Sequence, residues 1–264
     1  MTDPNASPTM SSPTMIAAPQ EERWRKIART LLRGERPYML YIAFAILLVV
    51  FSLASPFFLS LNNFLNIGRQ TTLVSIMAVG MTFIIIARQI DLSVASTLAL
   101  SGMAAALAMA HIGNHWLVGA IAGIGTGAIV GLINGIVTTR LAIPSFLVTL
   151  GSLSAARGLA LLVTDTKPVI ITDDTYFAVF GEGSLLGIPA PIAWTIAAMI
   201  FGILLLHYNI FGRRIYAAGG NPTAALYSGI NIKRVTTLAF VLTGSLAGLA
   251  ALVLSARSHA ARPD

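Results

Sequence analysis

An all-α, polytopic transmembrane helical bundle of about seven spans is the fold class this sequence predicts. Three observations carry it. Only 10% of the 264 residues are charged while 56% are hydrophobic, and the mean hydropathy is +0.80. An ordinary soluble domain carries about 25% charged residues, and 17 basic with 10 acidic side chains cannot coat a protein of 27.8 kDa in water. The apolar residues fall in long blocks, each near the roughly 20 residues that cross about 30 Å as a helix. These blocks lack the apolar–polar alternation of membrane strands. The absence of cysteine excludes disulfide frameworks, thiolate metal sites and cysteine nucleophiles.

The elements follow in order. Residues 1–20 hold four prolines, several Ser and Thr and no Lys or Arg, the composition of a disordered tail and not of a signal peptide. Residues 21–37 carry six basic residues with Trp24, Ile27, Leu31 and Leu32 at helical spacing. They predict a basic helix lying at the membrane interface, with a solvated basic helix as the other reading. A membrane domain then occupies residues 38–264, with spans expected at 38–58, 71–88, 93–110, 116–139, 144–164, 191–208 and 235–255.

Basic residues set the orientation. With a cytoplasmic N-terminus, twelve of the 17 Lys and Arg fall on the inside and four on the outside, and Arg157 lies within a span. The net charge of +7 is then a matter of topology and not of nucleic-acid binding. Residues 165–190, with Asp165, Asp173, Asp174 and Glu182, become the main external loop.

Within the spans, Gly119, Gly123, Gly127, Gly131 and Gly135 recur every fourth residue, with a shorter pair at Gly244 and Gly248. Such stripes let helix backbones approach closely where lipid removes the hydrophobic drive for association; a sliding face is the functional alternative. Asp91 has two readings: a cap on the third helix through its first free amides, or part of a broken helix forming the substrate path together with Ser93. Arg157 either snorkels or bonds to a neighbouring helix, or it lines a hydrophilic pathway, and Asn134, Thr149, Ser152 and Ser154 are available to the same roles. His111 and His115 are four apart, but the intervening Gly113-Asn114 predicts a turn, and no metal site is expected.

The energy source is constrained by what is missing. None of the three lysines, Lys26, Lys167 and Lys233, follows a glycine, so no P-loop exists. Between Arg36 and Val163 the only acid is Asp91, a thin proton relay. The most informative polar stretch lies between the sixth and seventh spans. There Asn221 reads as an N-cap, Pro222 as the first helical residue, and Ala225, Leu226, Ser228, Gly229 and Ile230 as the body and stop of a helix too short to stand alone in water. It requires something to dock on, either a peripheral motor or the membrane surface.

At this loop the sequence resembles the permease subunits of bacterial ATP-binding-cassette sugar importers, in the ribose, xylose, arabinose and galactoside branch. The likeness rests on Gly220-Asn221-Pro222 through Ser228-Gly229-Ile230, Asn62-Asn63-Phe64 with Arg69-Gln70, and Ala78-Val79-Gly80-Met81-Thr82. It extends to Ile90-Asp91-Leu92-Ser93-Val94, Ile143-Pro144-Ser145-Phe146 with Thr149-Leu150-Gly151, and Arg157-Gly158. These motifs run in family-like order from about residue 60 to 262.

The resemblance implies a multi-pass protein of the bacterial inner membrane. It would pair with a second permease subunit, identical or related, with two cytoplasmic ATPase subunits, and with a periplasmic sugar-binding protein. Residues Asn221 to Ile230 would be the coupling helix that meets the ATPase. No cofactor would be bound by this chain, ATP and Mg residing in the ATPase, and no chemical catalysis is expected. Ala95 departs from the glycine usual in the family, and the chain ends just after the seventh span where relatives continue, so a truncated product is expected. The function implied is import of a monosaccharide or related polyol by alternating access. An ion-coupled carrier of a neutral solute is the runner-up, and a structural or receptor-like membrane protein is a third class.

Overall fold

The computed structural model describes residues 38–263; the expected tail at 1–20 and interfacial helix at 21–37 lie outside them. The chain divides into two compact units, residues 1–63 and 64–264. In the first, helix α1 (Tyr38–Ala54) is apolar along its whole length, and a turn brings Phe58 to within 5.6 Å of Phe51, centroid to centroid.

Helix α2 (Leu61–Ile86) runs across the division. It starts ten residues before the expected 71, because Asn63, Arg69, Thr71 and Thr72 satisfy their polar groups locally. Asn63 donates to Phe58 O, Arg69 to Asn66, and both threonines to carbonyls one turn back. Polar side chains that bond within their own turn do not end a helix. Then come α3 (Val94–His111), α4 (Trp116–Arg140) and α5 (Ser145–Leu162). His115 caps α4 by accepting from Leu117 N at 3.2 Å, so the two histidines are the flanks of a turn.

Residues between α5 and the next span are more ordered than an external loop. Strand β1 (Val169–Ile170) is followed by α6 (Asp174–Tyr176), which Asp173 caps and a π-turn extends through Gly181; the hairpin β2 (Ser184–Leu185) and β3 (Ile188–Pro189) comes next. Aromatic burial explains the order, since Tyr176 and Phe180 are enclosed and Phe180 stacks on Trp194 at 5.4 Å. Helix α7 (Ala190–Ile203) continues as a π-turn to Tyr208. The segment expected to hold one small helix holds two, α8 (Ile210–Gly220) and α9 (Pro222–Tyr227), with Asn209 capping the first at Phe211 N. Last come α10 (Ile232–Ser258) and β4 (Ala260–Ala261), which pairs antiparallel with β1.

Six of these helices are long and apolar enough to span a bilayer, and α1 is a shorter apolar helix. Helix α10 is the centre of the second unit, with 61% of its apolar stretch buried against 22% in α5. Its C-terminal part packs on Met103, Tyr176 and Phe180, its middle on Ile76 and Ala198, and its N-terminal part on Phe83, Ile84 and Ile215.

The closest approach is to α4, antiparallel to it. A Cβ on Gly127 would lie 2.0 Å from Gly244 O, one on Gly131 2.2 Å from Phe240 O, and one on Gly135 2.7 Å from Thr237 Cα. At the other end, Gly123 faces Leu252 and Gly119 faces Met109. All five glycines of the stripe are buried. Backbones this close gain dispersion contacts and carbonyl–CH contacts that a larger residue forbids.

Candidate functional site

The seven residues between α2 and α3 leave helical geometry, and their backbone groups need partners. Neighbouring helices supply them as side chains. Ile90 N–H donates to Ser145 Oγ at 3.1 Å and Leu92 N–H to Thr149 Oγ1 at 3.2 Å. Arg88 sits at φ 57°, the left-handed region that costs a non-glycine residue roughly 1–2 kcal/mol. The break is therefore held by contacts outside itself.

Asp91 and Ser93 lie at its heart. One carboxylate oxygen of Asp91 accepts from Ser93 N at 2.8 Å and from Ser93 Oγ at 2.6 Å. Asn134 of α4 donates Nδ2–H to Ser93 Oγ at 2.9 Å, and Ser152 of α5 donates to Asn134 Oδ1. A donor chain thus runs from Ser152 through Asn134 and Ser93 to Asp91. Asn134 and Thr149 are fully enclosed, and Asp91 is 6% exposed. No ion pair involves Asp91 among the described residues. Burial pushes its carboxyl above the ordinary carboxylate range, and the two bonds from Ser93 oppose that shift. One turn beyond Asn134, the buried Thr138 hydroxyl has no partner among the described residues.

The sequence-derived cap reading needs correction. Asp91 bonds to Ser93, the residue preceding α3, and not to the first amides of that helix; Ser93 itself makes no side-chain cap. Of the pathway candidates, Asp91, Ser93, Asn134 and Thr149 are brought together, whereas Arg157 is not. It lies five residues beyond Ser152, about 140° around α5, and is exposed with no hydrogen-bond partner among the described residues. Ser145 was missed as a site residue. Its signal is the polar stripe Ser145, Thr149, Ser152 at spacings of four and three that share one face of α5.

The short helix α9 is fully capped. Asn221 Oδ1 accepts from Ala224 N at 3.0 Å, and Pro222 opens the helix. Gly229 at φ 78° closes it, with Ile230 N donating to Ala225 O and Gly229 N to Leu226 O, the paired bonds of a Schellman stop. Ala225 is buried and Ile230 packs on the Phe83–Ile215 core, while Leu226 and Tyr227 are 62% and 87% exposed. Ser228 and Pro222 are exposed as well. The helix thus docks by one edge on its own chain and presents an apolar edge outward.

The C-terminal end of α8, immediately before that helix, touches the Asp91 break. Arg88 donates from its guanidinium to Gly220 O at 3.0 Å. A Cβ on Gly219 would meet Ile86 O at 1.7 Å, so only glycine permits the approach. At the opposite end of the bundle, Tyr176 Oη and Ser255 Oγ are 2.7 Å apart, and burial raises the Tyr176 hydroxyl well above its usual value. His259 stacks on Phe177 at 4.2 Å and bonds Glu182 at 2.6 Å.

A bundle of apolar spans, a polar break buried at the meeting of three helices, and a capped helix on the loop between two spans define a multi-pass membrane permease. Residues 63–264 match the family described as branched-chain amino acid transport system / permease component, and the chain belongs to that family. It is a transport subunit and not an enzyme. The chain is 40% identical over 224 residues to the ribose import permease protein RbsC of Bacillus subtilis, covering 84% of this chain and 69% of that protein. It is 37% identical to RbsC of Escherichia coli K12 over 226 residues, covering 84% and 70%. The L-arabinose transport system permease protein AraH of Escherichia coli K12 is 34% identical over 226 residues, covering 86% and 68%. No solved structure gives a significant match.

Proposed function

We propose that this chain is the membrane permease of an ATP-binding-cassette importer for a monosaccharide, ribose-like or arabinose-like, or a related polyol, moving solute by alternating access in a bacterial inner membrane. The names of its relatives support the sugar class. In this reading the N-terminus and the α8–α9 loop face the cytoplasm. A second permease subunit completes the path, a periplasmic binding protein delivers solute, and two ATPase subunits bind ATP and Mg. Helix α9 is the face that meets the ATPase, through Leu226 and Tyr227. The linker holding Asp91 and Ser93, with Asn134 and Thr149, forms part of the path or its gate.

The single observation carrying this reading is the contact between that linker and the C-terminal end of α8, the residues that lead into α9. Arg88 grips the O of Gly220, the last residue of α8, and Gly219 lies against Ile86, so displacing α9 acts on the polar break through the end of α8. Coupling of this kind needs a continuous physical element shared by both sites. Replacing Leu226 and Tyr227 with Asp removes the apolar edge without touching the Schellman stop. Co-purification with the cognate ATPase is expected to fall at least about tenfold, the equivalent of about 1.4 kcal/mol, with membrane insertion unchanged. Undiminished ATPase association would overturn the assignment of α9.

A further inference from the structure

A second polar feature lies beside this machinery and plays no part in it. Where the C-terminus of α4 meets the N-terminus of α10, a cleft of about 700 Å³ opens between the two helices. Arg140, Lys233 and Arg234 line one end of it, all exposed, and none has a side-chain hydrogen bond or ion pair among the described residues. Thr139 and Thr237, their hydroxyls 3.2 Å apart, form the floor. The other end is walled by Leu132, Ile136 and Leu238. From Arg140 back to Leu132 is eight residues, about 12 Å along α4, so the cleft runs from a cationic mouth along the exposed apolar side chains Leu132, Ile136 and Leu238.

We infer that this cleft binds an anionic phospholipid, with its phosphodiester at the three cations and an acyl chain along Leu132, Ile136 and Leu238. Charge chooses the ligand. Among the described residues the acids are Asp91, buried in its own network, and Asp165, Asp173, Asp174 and Glu182. The last four belong to the segment whose β1 pairs with β4, beyond the far end of α10. Nothing described here neutralises the mouth, and converging cations without an anion repel one another. Shape chooses the source of the phosphate, because a free anion would use the mouth and leave the apolar wall uncovered. Basic pockets between spans on the cytoplasmic side suit such headgroups. The site depends on the chain spanning a membrane, not on which solute it carries. An occupant there would brace the α4–α10 seam at the end where α9 joins α10.

The test uses the full chain purified in a neutral detergent and supplied with dioleoyl phosphatidylglycerol or dioleoyl phosphatidylcholine. Binding is read by native mass spectrometry and by thermal unfolding. Phosphatidylglycerol is expected to stay bound and raise the unfolding temperature, and phosphatidylcholine is not. In the triple variant Arg140→Gln, Lys233→Gln, Arg234→Gln, affinity for phosphatidylglycerol should fall about a hundredfold, taking about fivefold for each basic residue. The single variant Arg140→Gln, expected to lose about fivefold, keeps the question answerable if the triple variant misfolds. Arg213→Gln with Arg214→Gln, cations of α8 outside the cleft, should leave affinity unchanged. Equal retention by the triple variant, an equal loss in the α8 double variant, or full protection by glycerol 3-phosphate alone would each overturn the lipid assignment.

Discussion

Replacing Gly127 with Ala should destabilise the bundle although alanine is the better helix former. The added Cβ would stand 2.0 Å from Gly244 O, 2.9 Å from Gly244 C and 3.2 Å from Gly248 N. An ordinary carbon–oxygen contact is about 3.3–3.6 Å, so α4 and α10 must part by roughly 1 Å or more along their seam. No rotamer relieves this, because every atom met is backbone. Overpacking of a tight interior costs about 1–3 kcal/mol, and the absence of a yielding side chain places this case near the upper end. Helix propensity returns about 0.5–1 kcal/mol, leaving a net loss of about 2 kcal/mol. Gly125→Ala is the internal control, two residues earlier and about 200° around the same helix, with nothing within 4 Å of its Cβ. It should be neutral or gain about 0.5–1 kcal/mol. Equilibrium unfolding in mixed micelles with increasing SDS, followed by circular dichroism, measures both. If Gly127→Ala unfolds at the same SDS fraction as Gly125→Ala, the seam does not support the bundle and the argument is wrong.

Two further outcomes follow from the polar break and the loop helix. Asn134→Leu removes the donor to Ser93 and the acceptor of the half-buried Ser152 hydroxyl, a loss of about 1 kcal/mol for each hydrogen bond. Solute uptake by the assembled importer should fall more than about tenfold while ATPase co-purification persists, as radiolabelled uptake and pull-down would show. Gly229→Ala forces a side chain into φ 78°, costing about 1–2 kcal/mol. Limited proteolysis between Asn221 and Ile230 should then quicken about tenfold, without change in overall unfolding.

Much of the fold is legible in the sequence because lipid imposes it. A span must be long, apolar and internally hydrogen-bonded, so a run such as Trp116–Arg140 announces itself. Polarity misleads where it is satisfied locally. The start of α2 is missed because Asn63 and Arg69 bond within their own turns, and the order of residues 169–189 is missed because Tyr176 and Phe180 find their enclosure against α10 and α7. The cap at Asn221, Pro222 and Gly229 is local chemistry, written in adjacent residues. Where Arg88 reaches is not local, since its acceptor Gly220 is 132 residues away.

By itself the sequence determined the solvent, the number and approximate limits of the spans, the close-approach face of α4 and the local form of α9, all consequences of composition and short-range periodicity. Only the tertiary structure decided which helix meets that glycine face, that Asp91, Ser93, Asn134 and Thr149 form one buried cluster while Arg157 stays outside it, and that the end of α8, just before α9, is tied to the same break. Those facts depend on contacts between residues far apart in the chain. A helix specifies the direction of its own faces every 3.6 residues, but not which neighbour will cover them.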